Sequence, residues 1–540
     1  GNGSDGDHGG DITVTAGTGL DLQGGTGADF LFSQIGHLSI GSGNSISGDV
    51  RVTVEDGGVR MNGGGSAVGH AAIGSSGYNI LAGSTISGGT HVALKGTDAT
   101  DGLSMVAGNG SHSAAHIGHL AQFAAANTAA ITLSGAVEVD IAAGGLKMQS
   151  STLGTNAHTQ IGHGGSYATG SKSGDIRVTV TSGDLSAKAG GTTGGERYNH
   201  TQIGHGGYIR AGAVTASSGT GFEDILDGGG NPIGQRPLGI VVQVLDGKID
   251  LLAGGAIANY AQIGHGGVRA SVANTSGYTG DITVEASGGI SMGKGSASYS
   301  HAKIGHGGTD TVTGNVTNAN GAITVKTGAD LAMGEGTAGY AFAQIGHGGP
   351  GVVAGNVWHL GGAIDVTAGG SVIARGGTAG YTNAQIGHGG YISAATSTIG
   401  ISTIAASPIA VKATAGDVLL LSGTVSNTGA KIGHGGYNMK LASFGESHVT
   451  VEAGRHVRLV SPQFETFSNV SNSGTQIGHG GFGSVVGPVS GASTSGYSGD
   501  ISVTAGGKLD VIAGKNAGSY NWSLLGHNSY YNSNGVHSGD

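Results

Sequence analysis

Twelve histidines recur along this 540-residue chain in the setting Ile-Gly-His-Gly-Gly or a near variant, usually after Gln. They are His37, His70, His119, His163, His205, His265, His306, His347, His388, His434, His479 and His527. The interval is 41 residues from His265 through His388 and runs from 33 to 60 elsewhere. A regular row of imidazoles invites three chemistries. It can ligate Zn²⁺, Cu²⁺ or Ni²⁺, or it can respond to protons near pH 6. It can also form a neutral structural ladder whose ring nitrogens are satisfied by nearby backbone. No carboxylate or thiolate stands at a fixed offset from the motif to complete a metal set, so neither a metal nor another cofactor is assigned. The structural ladder is the preferred reading.

A second row lies seven positions before the motif histidine: Tyr198, Tyr299, Tyr340, Tyr381 and Tyr520, with His158, His200, His301 and Phe342 five positions before it. Stacked rings that cover a corner are worth about 0.5–1.5 kcal/mol per pair. The sharper alternative is a glycan contact through Tyr198, Tyr299, Tyr340 and Tyr381. The stretch from residue 206 to 239 is the longest corner insertion and includes Phe222, Glu223, Asp224 and Arg236. Long loops on rigid scaffolds often carry recognition. Its adjacent Glu223 and Asp224 do not by themselves supply two carboxyls flanking a sugar bond. Gly24 to Phe32 fits a nine-residue calcium repeat but has no tandem copy, so it reads as a chance match. With no Ser/His/Asp set and no phosphate loop in view, the chain is not read as an enzyme.

Composition narrows the classes further. Lys and Arg number 23 against 33 Asp and Glu, a net charge of −10, and no basic cluster appears, which argues against a nucleic-acid partner. Cysteine is absent, so stability must come from stacking. No apolar run approaches the ~18 residues of a membrane span, so no membrane insertion is expected. The 116 glycines follow no Gly-X-Y period and accompany only 6 prolines, which excludes collagen and assigns glycine to turns.

The elements that must position the histidines follow from the repeat. Units of mostly 41–48 residues point to an all-β solenoid rather than to several globular domains. Each unit opens on an alternating strand such as Asp11-Ile-Thr-Val-Thr-Ala16 or Asp281-Ile-Thr-Val-Glu-Ala286, whose period of two buries one face. A glycine turn leads to a second strand, as in Leu331-Ala-Met333, and a polar stretch leads to the third, Ala-Gln-Ile-Gly-His. A variable linker ending in Gly-Asp or Gly-Ala then returns to the next unit. The expectation is a right-handed parallel β-helix of about twelve repeats, preferably one large coil each with two smaller coils per repeat as the alternative, with Gln pointing out and Ile and His pointing in. Residues 1–540 read as one window cut from a longer array.

The Asp-Ile-Thr-Val-Thr-Ala strand, the Gly-Leu-Asp-Leu turn-strand and the repeated Gln-Ile-Gly-His-Gly-Gly resemble the repeat regions of filamentous haemagglutinin-like bacterial exoproteins, secreted by the two-partner route or as autotransporter passengers. That resemblance implies a β-helix at the bacterial cell surface or released from it, serving adhesion, aggregation or matrix building. The expected function is therefore an extracellular rod or fibre segment whose copies associate end to end into a filament. The alternative is an adhesin module for a glycan or cell-surface ligand, and a polysaccharide-degrading enzyme is the remote third.

Overall fold

A computed structural model describes residues 7–27, 31–41, 45–81, 83–122, 130–166, 168–191, 198–208, 214–226, 231–267, 275–293, 295–308, 316–334, 336–349, 357–390, 402–436, 440–461, 472–482, 485–486, 497–514 and 521–530. The described residues are all-β, and four parallel sheets of twelve strands each run the length of the molecule. The first sheet runs from His8–Gly9 to Val485–Val486, the second from Ile12–Ala16 to Ile501–Ala505, the third from Leu20–Gln23 to Leu509–Ile512, and the fourth from Ser33–Ile35 to Trp522–Leu525. Each repeat is one coil. Val284 pairs with Val325 and Val325 with Val366, one repeat apart each time, so like stacks on like along the rod.

Alternation decides which side chains go inside. In Ile282–Ala286 the first, third and fifth residues are buried while Thr283 and Glu285 are not. Inward residues of the second, third and fourth sheets form one continuous core from Leu22 to Ile477, built of Val and Ile from the second sheet, Leu and Met from the third, and Ala and Ile from the fourth. Burying each of the Val, Ile, Leu and Met side chains contributes about 1.5–3 kcal/mol. Because every coil repeats this packing, stability accumulates rung by rung, as in other solenoids.

The linker does more than return the chain. It carries the first-sheet strand, for example Thr275–Thr279 and Val316–Asn320, where the sequence suggested only a variable connection. Some of these strands, such as Val316–Asn320, are largely polar, whereas others, such as Ile131–Ser134 and Val357–Gly361, alternate. They are held by small side clusters, one of them built from Tyr278, Trp358, Leu360, Phe444 and others. The insertion between residues 206 and 239 is a projecting antiparallel hairpin of Phe222–Leu226 and Pro232–Pro237. Both of its roots are clamped by Asp175, whose Oδ1 accepts the amides of Gly219 at 2.6 Å and Gly239 at 3.1 Å. Among the described residues no helix is long and apolar enough to cross a membrane.

Candidate functional site: the imidazole ladder and its buried flank

Ten motif histidines, from His119 to His527, form an unbroken stack with ring centroids 4.6–5.0 Å apart and planes within 11°. Each ring from His163 onward is tied at both nitrogens. Nδ1 accepts the backbone N–H of the histidine one coil before, as in His306 to His347 at 2.9 Å and His347 to His388 at 3.0 Å. Nε2 donates across the coil to a backbone carbonyl: Gly321 for His347 at 2.9 Å, Gly362 for His388 at 2.7 Å, Ser447 for His479 at 2.7 Å. At His265 the partner is instead the Ser218 hydroxyl, at 2.9 Å. An amide can only donate and a carbonyl can only accept, so the rings are held as the neutral Nε2–H tautomer. Every ring therefore staples its own coil shut and fastens it to its neighbour.

Local sequence builds these partners. The carbonyls that receive Nε2–H belong largely to the glycine ending each linker, which explains the recurrent Gly-Asp and Gly-Ala. Gly321 has φ 145° and a Cβ there would collide with the Gly280 carbonyl, so that coil requires glycine at this position, while Ser407 and Ser447 take it in two others. The motif glycine is constrained in the same way: Gly346 has φ 151°, and its Cβ would collide with the Gly387 carbonyl.

Burial sets the electrostatics. Desolvation lowers the pKa of His119, His205 and His388 to about 4, and of His306 and His479 to about 3. It holds His163, His265, His347 and His434 well below the ordinary range, with neighbouring imidazoles adding to the shift. Protonation of the folded ladder thus falls below the region near pH 6 that the sequence suggested. A metal would have to displace either the Nε2 proton or the amide on Nδ1, so the stack is not arranged as a ligand set.

Two motif histidines stand apart. His70 is not in the ladder: it pairs with Ala114, and its ring stacks on Phe32 at 4.9 Å. Ile73 pairs with both Ile35 and Ile117, so register places Ser75 in the motif slot of that coil, and Ser75 Oγ accepts the His37 amide at 3.3 Å. The Gly-His dipeptide at 69–70 misled because register is counted from the isoleucine. His37 retains its Nε2 bond to the Gly10 carbonyl at 2.8 Å but has Ser75 rather than a ring beside it in the next coil.

The glutamine of the motif is also placed differently from expectation. It leaves the main core yet stays buried, with the motif glycines against that face: Gly267 lies against the Tyr260 hydroxyl. Gln202 Nε2 donates to the carbonyls of His205, Gly264 and Gly266 at 3.3, 2.9 and 2.8 Å. Lys303 and Lys431 take the same slot in their coils and donate to the His306 and His434 carbonyls, both at 2.6 Å. Burial lowers the Lys431 pKa to about 7. Beside the glutamines runs a second ring stack: His158, His200, Tyr260, His301 and Phe342, spaced 4.7–5.0 Å.

Of the tyrosine row, Tyr299, Tyr340 and Tyr381 stack at 4.8–4.9 Å, and all four, Tyr198 included, sit at φ 63–66°. A left-handed backbone at bulky residues stores strain, offset here by the stacking. The stacked tyrosines cover one another's faces, which is the surface a sugar ring would need. Tyr520, and Asp29 of the calcium-like stretch, lie outside the described residues.

One cluster escaped sequence reading. His91 Nε2 lies 3.3 Å from Asp140 Oδ2 and 4.0 Å from Glu138 Oε2, and the three could together hold a divalent ion. Parallel pairing of His91 with Glu138 creates the group from residues 47 positions apart. The contacts also form an ordinary ion pair, and the Asp140 hydrogen bond raises the His91 pKa. No family model, curated protein or solved structure matches this chain.

Proposed function

We propose that this chain is a structural rod segment of an extracellular, bacterial cell-surface fibre, whose output is length, stiffness and display rather than catalysis. The observation that supports it most is the ladder itself. Ring nitrogens that catalysis or metal binding would need are spent on backbone bonds that tie each coil to the next. Twelve coils at about 4.8 Å per rung make a rod roughly 60 Å long. End-to-end association of copies belongs to this reading, since a coil without a neighbour presents an unpaired backbone edge. Electron microscopy of the intact protein across a concentration series tests it. Straight rods that lengthen in multiples are expected, and compact dispersed particles at every concentration would remove it.

The adhesin reading finds support in the hairpin rather than in the tyrosines. Phe222, Ile225 and Ile233 are 66%, 41% and 67% exposed on an arm that stands off the rod. A cell-binding or glycan-array signal that disappears when the hairpin is excised, with the rod intact, would favour it.

A further inference from the structure

The second ring stack is interrupted once its last consecutive ring, Phe342, is passed. Register pairs Phe342 with Asn383, Asn383 with Gly429, Gly429 with Gly474, and Gly474 with Trp522. Trp522 leans back over Gly474, so that a Cβ there would lie 2.5 Å from the indole Cε2. Two rungs, those of Asn383 and Gly429, are left without a ring between Phe342 and Trp522. A cavity of about 90 Å³ occupies this stretch, lined by Phe342, Asn383, Gly429, Lys431 and Trp522 among others.

Gln344 and Asn472 also line the cavity, and Gln344 Oε1 and Asn472 Oδ1 are buried acceptors without a hydrogen-bond partner. The amide nitrogens of the same side chains are engaged: Gln344 Nε2 with the Gly389 carbonyl at 2.8 Å, and Asn472 Nδ2 with Asn427 at 3.1 Å. Lys431 spends its donors on the His434 and Gly480 carbonyls. A buried acceptor left unmet costs about 1–3 kcal/mol, so an occupant that donates is favoured. Elsewhere in the stack each rung takes one flat ring at 4.7–5.0 Å. With the Asn383 side chain in one of the two rungs and no side chain in the other, the height of one ring is left at Gly429, with aromatic residues beyond either end and acceptors along the side.

We propose that this break in the stack is a binding slot for a small, neutral, planar ring carrying a hydroxyl or N–H donor, of the phenol class, seated between Phe342 and Trp522. The ring would continue the stack and donate to Gln344 Oε1 or Asn472 Oδ1. Ordered water is the competing occupant, since a space of this size admits several molecules.

Phenol itself is the probe, titrated into the full chain by calorimetry and saturation-transfer NMR, with toluene as the ring lacking a donor. Saturable phenol binding is expected, about tenfold tighter than toluene. Gly429→Phe, which places a ring in the rung that has no side chain, should abolish it while the circular dichroism stays unchanged. Should that variant fail to fold, Trp522→Ala decides instead, with a loss of tenfold or more expected. No saturable binding to the wild type, binding undiminished in a folded variant, or a crystal structure grown with phenol showing only water in the slot would each overturn the proposal.

Discussion

Acidification should loosen this rod well before carboxylates begin to protonate. An unfolded imidazole titrates near ~6.5, whereas burial holds His205 and His388 at about 4 and His306 and His479 at about 3. The unfolded chain therefore binds these protons more tightly. Stability is complete above the unfolded pKa and is lost as pH falls from there towards the folded values. At pH 5 the gap is about 1.5 pH units, or about 2 kcal/mol for each imidazole at ~1.36 kcal/mol per unit. Nine ladder histidines share the depression, so the summed penalty exceeds the ~5–15 kcal/mol that holds an ordinary domain together. A solenoid need not lose it all at once, because coils can open in groups. Urea unfolding followed by far-ultraviolet circular dichroism at pH 7.5 and pH 5 measures the effect, with a large fall in midpoint expected. Nitrogen NMR of the imidazoles should show unprotonated Nδ1 and protonated Nε2 while the fold persists. An unfolding free energy that is flat between those pH values, or rings that titrate near 6.5 in the folded protein, would refute the reasoning.

Gly346→Ala should destabilise by about 2 kcal/mol or more through strain and the collision with the Gly387 carbonyl, whereas Gly277→Ala, which meets only Thr215 Cγ2 at 3.9 Å, should be near neutral in thermal melts. Lys431→Gln should stabilise by about 1–3 kcal/mol at pH 7, because an amide fits the carbonyl cage without burying a charge. Since burial depresses the Lys431 pKa from 10.5 to about 7, the advantage should shrink as denaturation is repeated at rising pH towards 10, and a constant difference would argue against that cause. Joining Gly219 directly to Gly239 removes nineteen residues and takes the 60-residue histidine interval to the 41 of its neighbours. The shortened protein should keep its spectrum and melting temperature, and aggregation or unfolding would show that the hairpin is part of the frame.

Much of this architecture was legible in the chain. Period-two strands such as Ile282–Ala286, the glycine turns after them and the returning motif announce a parallel stack of like strands, whereas one coil per repeat rather than two was decided by the register that pairs Val284 with Val325. Some first-sheet strands were hidden, since Val316–Asn320 has too little alternation to announce a buried face. Which histidine joins the ladder was also out of reach. His70 carries the Gly-His signature, yet register from Ile73 gives its slot to Ser75. The destination of Gln202 depended on carbonyls of residues that lie beyond the strand, and the His91, Glu138 and Asp140 group on neighbours one coil away.

By itself, then, the sequence determined the repeat, the strand faces and the presence of an imidazole in nearly every coil, because those follow from local periodicity and spacing. Only the tertiary structure decided what the imidazoles do. Their tautomer, neutrality and unavailability come from an amide one coil earlier and a carbonyl at the far corner of the same coil, 26 to 32 residues away, and stacking alone brings those partners together.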